Sequence, residues 1–275
     1  MVLVGSIFIL SIIIGFIIIY FSGLAAMSPW FYLLIPVIGV LGSGIIISIV
    51  WGGLLLFASK YKNVECRGKG SKFHQTWAYF LAKMLLLSSW RKMKKKGFQR
   101  IPKKEPCLYL FNHTSFLDCW MLLASIHPHV FSIVSLEAMK HVPFVGNLAT
   151  ALGCIYINKD KPETSLKMID TAVDYIQNQN TSVAIAPEGK INREGKIIEF
   201  KNGPFTIAKR SNCPIVLLGF EGISEIENRK SFFKPVHLKS RVLTIIYPDN
   251  YADMSVKQLA KHCQTIYEDF ESGKK

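Results

Sequence analysis

The chain has 275 residues, half of them hydrophobic, with 33 Lys or Arg against 19 Asp or Glu and a formal net charge of +14. That length suits one domain plus an appendage. Six cysteines at 66, 107, 119, 154, 213 and 263 form no CxxC pair, which argues against a disulfide framework or a zinc site. The positive balance alone would admit a nucleic-acid partner, but no recognition motif accompanies it, so no nucleic acid and no metal are expected.

The hydrophobic residues are unevenly placed. The first charged side chain is Lys60. Residues 2–21 carry Val, Leu, Ile or Phe at fifteen of twenty positions. On an insertion scale that favours the bilayer by roughly 5–9 kcal/mol, and twenty helical residues span about 30 Å, the thickness of the hydrocarbon. A turn-like break runs from Ser22-Gly23 to Ser28-Pro29, and residues 30–58 form a second apolar stretch. The pattern predicts a membrane-anchoring helical hairpin over 1–59. A cleaved signal peptide would need a basic start and a shorter core.

The composition then reverses. Between Lys60 and Lys104 there are fourteen Lys or Arg and one acid, Glu65. The positive-inside rule puts this segment, and the domain after it, on the cytoplasmic side. Within it, 73–96 reads as one amphipathic helix. Phe73, Trp77, Phe80, Leu81, Met84 and Leu85 recur at helical spacing, followed by the basic run Arg91 to Lys96. Such a helix lies on an anionic leaflet. The expected organisation is therefore an anchor over 1–59, a basic interfacial segment over 60–104, and a catalytic domain over 105–275.

From residue 105 the pattern is α/β. Short apolar runs at 107–111, 130–135, 154–157, 182–186, 214–220 and 242–247 read as strands. Helices are expected over 115–126, 163–178, 203–211 and 255–270, with Ser115 as N-cap of the first and Pro204 opening the third. This alternation predicts a mixed or mainly parallel sheet covered by helices. Asn112-His113-Thr114-Ser115 breaks the first strand. His113 then stands at a strand-to-helix turn, where open α/β sheets bind ligands. Asp118, five residues on, is close enough across a tight turn to hold the imidazole in one tautomer while the ring takes a proton from a hydroxyl. A plain helix-terminus role for both residues is the competing reading.

Three further stretches weigh against that competing reading. They are Gly153-Cys154-Ile155-Tyr156-Ile157-Asn158, the run from Ala186-Pro187-Glu188-Gly189-Lys190-Ile191 to Phe200-Lys201-Asn202-Gly203, and Cys213-Pro214-Ile215-Val216. With Asn112-His113 and Asp118 they occur in order across about residues 107 to 218. The set resembles the glycerolipid acyltransferase family that includes lysophosphatidate acyltransferases. Two positions depart from the family pattern: Asn158 and Ile191 stand where it usually has arginine.

The resemblance implies a membrane-bound enzyme of phospholipid biosynthesis. It would move a fatty acyl chain from an acyl thioester, acyl-CoA or acyl carrier protein, to the hydroxyl of lysophosphatidate, with no cofactor beyond that co-substrate. His113 is the expected base and Asp118 its orienting partner. Glu188 and Gly189 would shape the acceptor side, and Lys190 and Arg193 would contact its phosphate in place of the absent arginines. Another lysophospholipid acceptor, a hydrolase using water, and a non-catalytic membrane adaptor are the alternatives. The absence of a G-x-S-x-G elbow weighs against a serine hydrolase.

Overall fold

The structure, a computed structural model, describes residues 72–88, 92–142, 145–192, 198–223, 225 and 236–273, together with 13, 17, 20, 37, 41, 42, 44 and 45. The chain divides into two compact units, Met1–Lys60 and Tyr61–Lys275. In the first, the eight described positions are helical. Among the described residues no helix is long and apolar enough to cross a membrane. The two stretches of the expected hairpin lie largely outside those residues.

The second unit alternates helices and strands. Its elements are α1 (Lys72–Ser88), β1 (Lys92–Lys96), β2 (Leu108–Phe111), α2 (Asp118–Ile126), β3 (Phe131–Leu136), α3 (Val145–Ala151) and β4 (Ile155–Ile157). They continue with α4 (Pro162–Gln177), β5 (Ser182–Ile185), α5 (Asn202–Ser211), β6 (Ile215–Glu221), β7 (His237–Ile246), α6 (Pro248–Tyr251) and α7 (Val256–Glu271). The seven strands form one sheet in the order β1-β7-β6-β2-β5-β3-β4. Every pairing is parallel except β6 with β7. The mainly parallel sheet expected from the alternation is present.

Helices cover both faces. Tyr109, Phe111, Val216 and Leu218 point into a core shared with Ala78, Ala82 and Leu86 of α1 and Met121 and Leu122 of α2. Leu108, Leu110, Val183, Ile185, Ile215 and Leu217 point into a second core with α4, α5 and α7. All four residues of β2 are buried, so it shows no alternation, as a strand covered on both faces should not. Each large apolar side chain buried there is worth about 1.5–3 kcal/mol. Pro162 starts α4 at a position where its missing N–H costs nothing. Ser255 starts α7 with a capping box closed by Gln258, worth about 1 kcal/mol.

Several boundaries differ from the sequence reading. The helix expected over 73–96 ends at Ser88. The lysine run that looked like its basic tail is the edge strand β1, in parallel register with β7 from Lys92↔His237 to Lys96↔Arg241. Lysine is a poor strand former, but it keeps an exposed edge from pairing with other chains. Met93 packs against the first core, and the Lys95 ammonium donates to the Ser125 carbonyl at 2.9 Å. The apolar face assigned to α1 also splits. Leu81 is buried in the domain, whereas Phe73 is 51% and Phe80 54% exposed. β7 begins five residues earlier than expected, and Pro204 is the third residue of α5 rather than the first.

Candidate active site

β2 lies where the strand order reverses, with β5 on one side and β6 on the other. The crevice beyond the carboxyl ends of such strands is where open α/β sheets bind ligands. His113 leaves β2 into that crevice. Its side chain is 20% exposed and its ring meets the Phe111 ring edge-on at 5.9 Å.

The expected N-cap role of Ser115 does not occur. α2 starts at Asp118, three residues later, because residues 114–117 fold into a turn of their own. The buried Ser115 hydroxyl oxygen accepts from the Leu117 N–H at 3.0 Å. The N-cap position is Leu117, which offers no side-chain cap, while Asp118 Oδ2 closes the turn before the helix by accepting from the backbone N–H of Thr114 at 2.7 Å and of Ser115 at 2.8 Å. The same oxygen lies 3.2 Å from His113 Nδ1. Asp118 is wholly buried, and burial pushes its carboxyl above the ordinary range, against the pull of the His113 bond and the two amides. A carboxylate held this way can fix the ring with Nδ1–H toward it, which leaves Nε2 able to accept a proton. It gains most when the ring becomes cationic. The neighbouring thiol of Cys119 is no rival nucleophile: burial and the Asp118 charge push it up to about 12.

The second part of the crevice follows β5. Pro187 and Glu188 lead to Gly189, whose φ of 67° lies in the left-handed region that favours glycine. Its N–H closes the turn on Ala186 O at 3.1 Å. Glu188 is buried and its Oε1 accepts from the His113 backbone N–H at 3.4 Å. Burial raises its carboxyl, opposed by hydrogen bonds from the Asn192 side chain and from the backbone of His113 and Ile198. The N–H of Asn192 in turn donates to His113 O at 2.6 Å. The loop after β5 therefore holds the His113 peptide on both sides.

The structure brings His113, Asp118, Glu188 and Gly189 together. Lys190 is exposed beside them, and Arg193 lies outside the described residues. Asn158 serves its own loop. Its amide donates to Glu137 Oε2 at 3.0 Å and its Oδ1 accepts from the Asp160 N–H at 3.0 Å. Lys159 and Lys161, the neighbouring cations, are exposed.

Two further contributors are Asn112, which had no role in the sequence reading, and Lys201, for which that reading left a phosphate contact and a solvated side chain equally open. Asn112 pairs with the Phe220 backbone as a strand would, donating to its carbonyl at 3.0 Å and accepting from its N–H at 2.8 Å. It extends the β2–β6 ladder one step past the last backbone pair and fixes where His113 begins. Its position before the histidine in the first motif was the available signal. Lys201 donates its backbone N–H to Pro187 O at 2.9 Å, and its stem lies against Gly189. Its place in Phe200-Lys201-Asn202-Gly203 marked it, but spacing alone did not join it to the Glu188 turn.

A mostly parallel α/β sheet with a half-buried His beside a buried Asp at its carboxyl edge is an arrangement able to activate a hydroxyl. Known proteins narrow it. Residues 92–220 match the Acyltransferase family model. The chain is 27% identical over 166 residues to the human 1-acyl-sn-glycerol-3-phosphate acyltransferase beta, covering 60% of this chain and 59% of that one. It is 27% identical over 159 residues to the chloroplastic 1-acyl-sn-glycerol-3-phosphate acyltransferase BAT2 of Brassica napus, covering 56% and 44%. The crystal structure of the 1-acyl-sn-glycerophosphate (LPA) acyltransferase PlsC from Thermotoga maritima superposes with a TM-score of 0.62 at 16% identity, over 83% of this chain and 92% of that one, and so shares the fold. Residues 92–220 therefore carry an acyltransferase-type domain, and the chain is similar to 1-acyl-sn-glycerol-3-phosphate acyltransferases. It spans about half the length of the curated relatives it matches.

Proposed function

We propose that the protein transfers a fatty acyl chain from an acyl thioester to the free hydroxyl of lysophosphatidate at a membrane surface, giving phosphatidate. The observation that carries this reading is the His113–Asp118 pair, 3.2 Å apart, held beside Glu188 at the carboxyl ends of β2 and β5. His113 Nε2 takes the hydroxyl proton as the oxygen attacks the thioester carbonyl. Asp118 stabilises the imidazolium that forms. Collapse of the tetrahedral intermediate breaks the C–S bond, and the proton passes to the departing thiolate. The donor is acyl-CoA or acyl carrier protein, and no other cofactor takes part. Glu188 and Gly189 shape the acceptor side, with Lys190 and Arg193 compensating its phosphate.

The setting is a membrane, with the catalytic domain on the cytoplasmic side. The uncharged residues 1–59 anchor the chain, and the basic segment 60–104 rests on the leaflet. The exposed Phe73 and Phe80 of α1 support that reading, because they lie opposite the helix's buried Ala78, Ala82 and Leu86. A second acceptor, another lysophospholipid, is favoured by Asn158 and Ile191 at the two positions where the family usually has arginine. The test is incubation of membranes carrying the full chain with labelled acyl-CoA and a panel of lysophospholipids. Labelled phosphatidate supports the main reading, and a different labelled diacyl product supports the second. Free fatty acid alone means hydrolysis, and no product at all means an adaptor.

A further inference from the structure

The last helix carries no motif of the family, yet one of its side chains reaches the strands that aim His113. Tyr267 of α7 is wholly buried. Its hydroxyl lies 2.7 Å from Leu110 O on β2 and 2.8 Å from Leu218 O on β6. One proton thus serves two carbonyls on neighbouring parallel strands. The register between β6 and β7 shifts beside Leu217/Leu218, so Leu218 stands at an irregular point of the ladder. The Tyr267 ring is held by an edge-on contact with Phe200 at 5.6 Å. Leu110 is two residues before Asn112, and Asn112 makes the next link between the same two strands.

We propose that Tyr267 is a positioning residue for His113. Its hydroxyl and the Asn112 amide clamp the end of β2 to the middle and C-terminal part of β6, and together they set the direction in which the chain leaves β2. The His113–Asp118 distance and the bond from His113 N–H to Glu188 depend on that direction. Without the hydroxyl, two buried carbonyls lose their shared donor. The two strands then part at the place from which the imidazole is aimed. The effect on turnover rests on the acyl-transfer reading, but the effect on the imidazole does not.

The molecule supplies a matched control. Tyr251 is also buried, and its hydroxyl also lies between two carbonyls, Ala208 O at 3.1 Å and Cys213 O at 2.7 Å. Cys213 precedes β6, at the end of the sheet away from His113.

The experiment uses the full chain in detergent or bilayer, as wild type, Tyr267→Phe and Tyr251→Phe. Three things are read: the melting temperature, the steady-state constants, and the titration of the His113 ring by nitrogen NMR with labelled histidine. Both variants should melt lower than wild type. Only Tyr267→Phe should shift the His113 titration and lower kcat tenfold or more with KM for either substrate within twofold. If its His113 titration matches wild type, the proposal is overturned, whether or not acylation is seen. If the titration shifts but wild type acylates nothing, the positioning role stands and the acyl-transfer reading fails. A donor-bearing analogue at the same position, 4-aminophenylalanine, should restore the wild-type titration. It serves as the deciding variant if Tyr267→Phe does not fold, and a folded analogue with a displaced titration also overturns the proposal.

Discussion

The backbone N–H of His113 donates to Glu188 Oε1 across 75 residues of chain. This bond joins the turn after β2 to the turn after β5 and makes one site of two distant motifs. It also separates two roles. The His113 ring is tied to Asp118, while the His113 peptide is held in place by Glu188 and Asn192.

The ring carries the first prediction. His113→Ala should lower turnover by at least about 10²–10⁴-fold, the usual worth of a general base. Asp118→Asn should also be severe, because an amide at Oδ2 favours the wrong imidazole tautomer. Both proteins should still fold and sediment with membranes. Steady-state rates on purified, folded variants decide the matter, and near-normal turnover in His113→Ala would sink the mechanism.

Glu188 gives a prediction with a definite sign in pH. Burial raises its folded value above the ordinary 4.5. The folded protein therefore binds this proton at a pH where the unfolded chain has lost it. Stability falls as pH rises through the window from about 4.5 to the raised value, and stays reduced above it. Glu188→Gln removes that titration and keeps one acceptor for the His113 N–H. Near pH 7 the variant should melt at or above wild type, and the gap should close or reverse as pH falls toward 4.5. Its acyl transfer should nonetheless drop, since the carboxylate borders the base. Calorimetric melting from pH 4 to 8 tests this; a variant several degrees less stable at pH 7 refutes it.

These residues show how far the sequence could be read. The core strands were legible because four to six apolar residues in a row, closed by turn formers, have few other uses. The ends of elements were less so. Ser115 looked like an N-cap, but the carboxylate of Asp118 takes the N–H groups of Thr114 and Ser115 and starts the helix later. The lysine run of β1 was hidden because strand identity there comes from pairing with β7, which local propensity does not encode. The His–Asp pair was visible from a spacing of five. Tyr267 was not, because its hydrogen bonds span 157 and 49 residues and no motif marks it.

The outward face of α1 yields a prediction about the lipid surface. Replacing the exposed Phe73 and Phe80 together by aspartate adds charge where apolar rings stand. It should lower kcat/KM for lysophosphatidate presented in anionic vesicles, and leave the value for a short-chain, freely soluble acceptor within about twofold. The full-length double variant should still resist alkaline carbonate extraction through residues 1–59. Equal losses on both acceptors would mean that these rings support the fold rather than the membrane contact.

The last prediction concerns the acceptor's phosphate. A group carrying up to two negative charges needs compensation in a partly dry crevice. The two family arginines are absent, and Asn158 is engaged with Glu137 and Asp160. Lys190 follows the Glu188–Gly189 turn directly, and Lys201 reaches the same turn with its stem against Gly189. Arg193 is three residues beyond Lys190 in sequence and has the forked donor that suits a phosphate. Lys190→Ala, Arg193→Ala and Lys201→Ala should each raise KM for lysophosphatidate more than KM for the acyl thioester. A charged hydrogen bond is worth about 1.5–3 kcal/mol, so the rise should be roughly ten- to a hundredfold for a residue in direct contact. Rates with each substrate varied in turn separate the two constants. A residue whose variant keeps the wild-type KM for lysophosphatidate does not bind the phosphate. If all three do, and the wild type prefers a different lysophospholipid, Asn158 and Ile191 record a change of acceptor rather than a relocation of its charge partner.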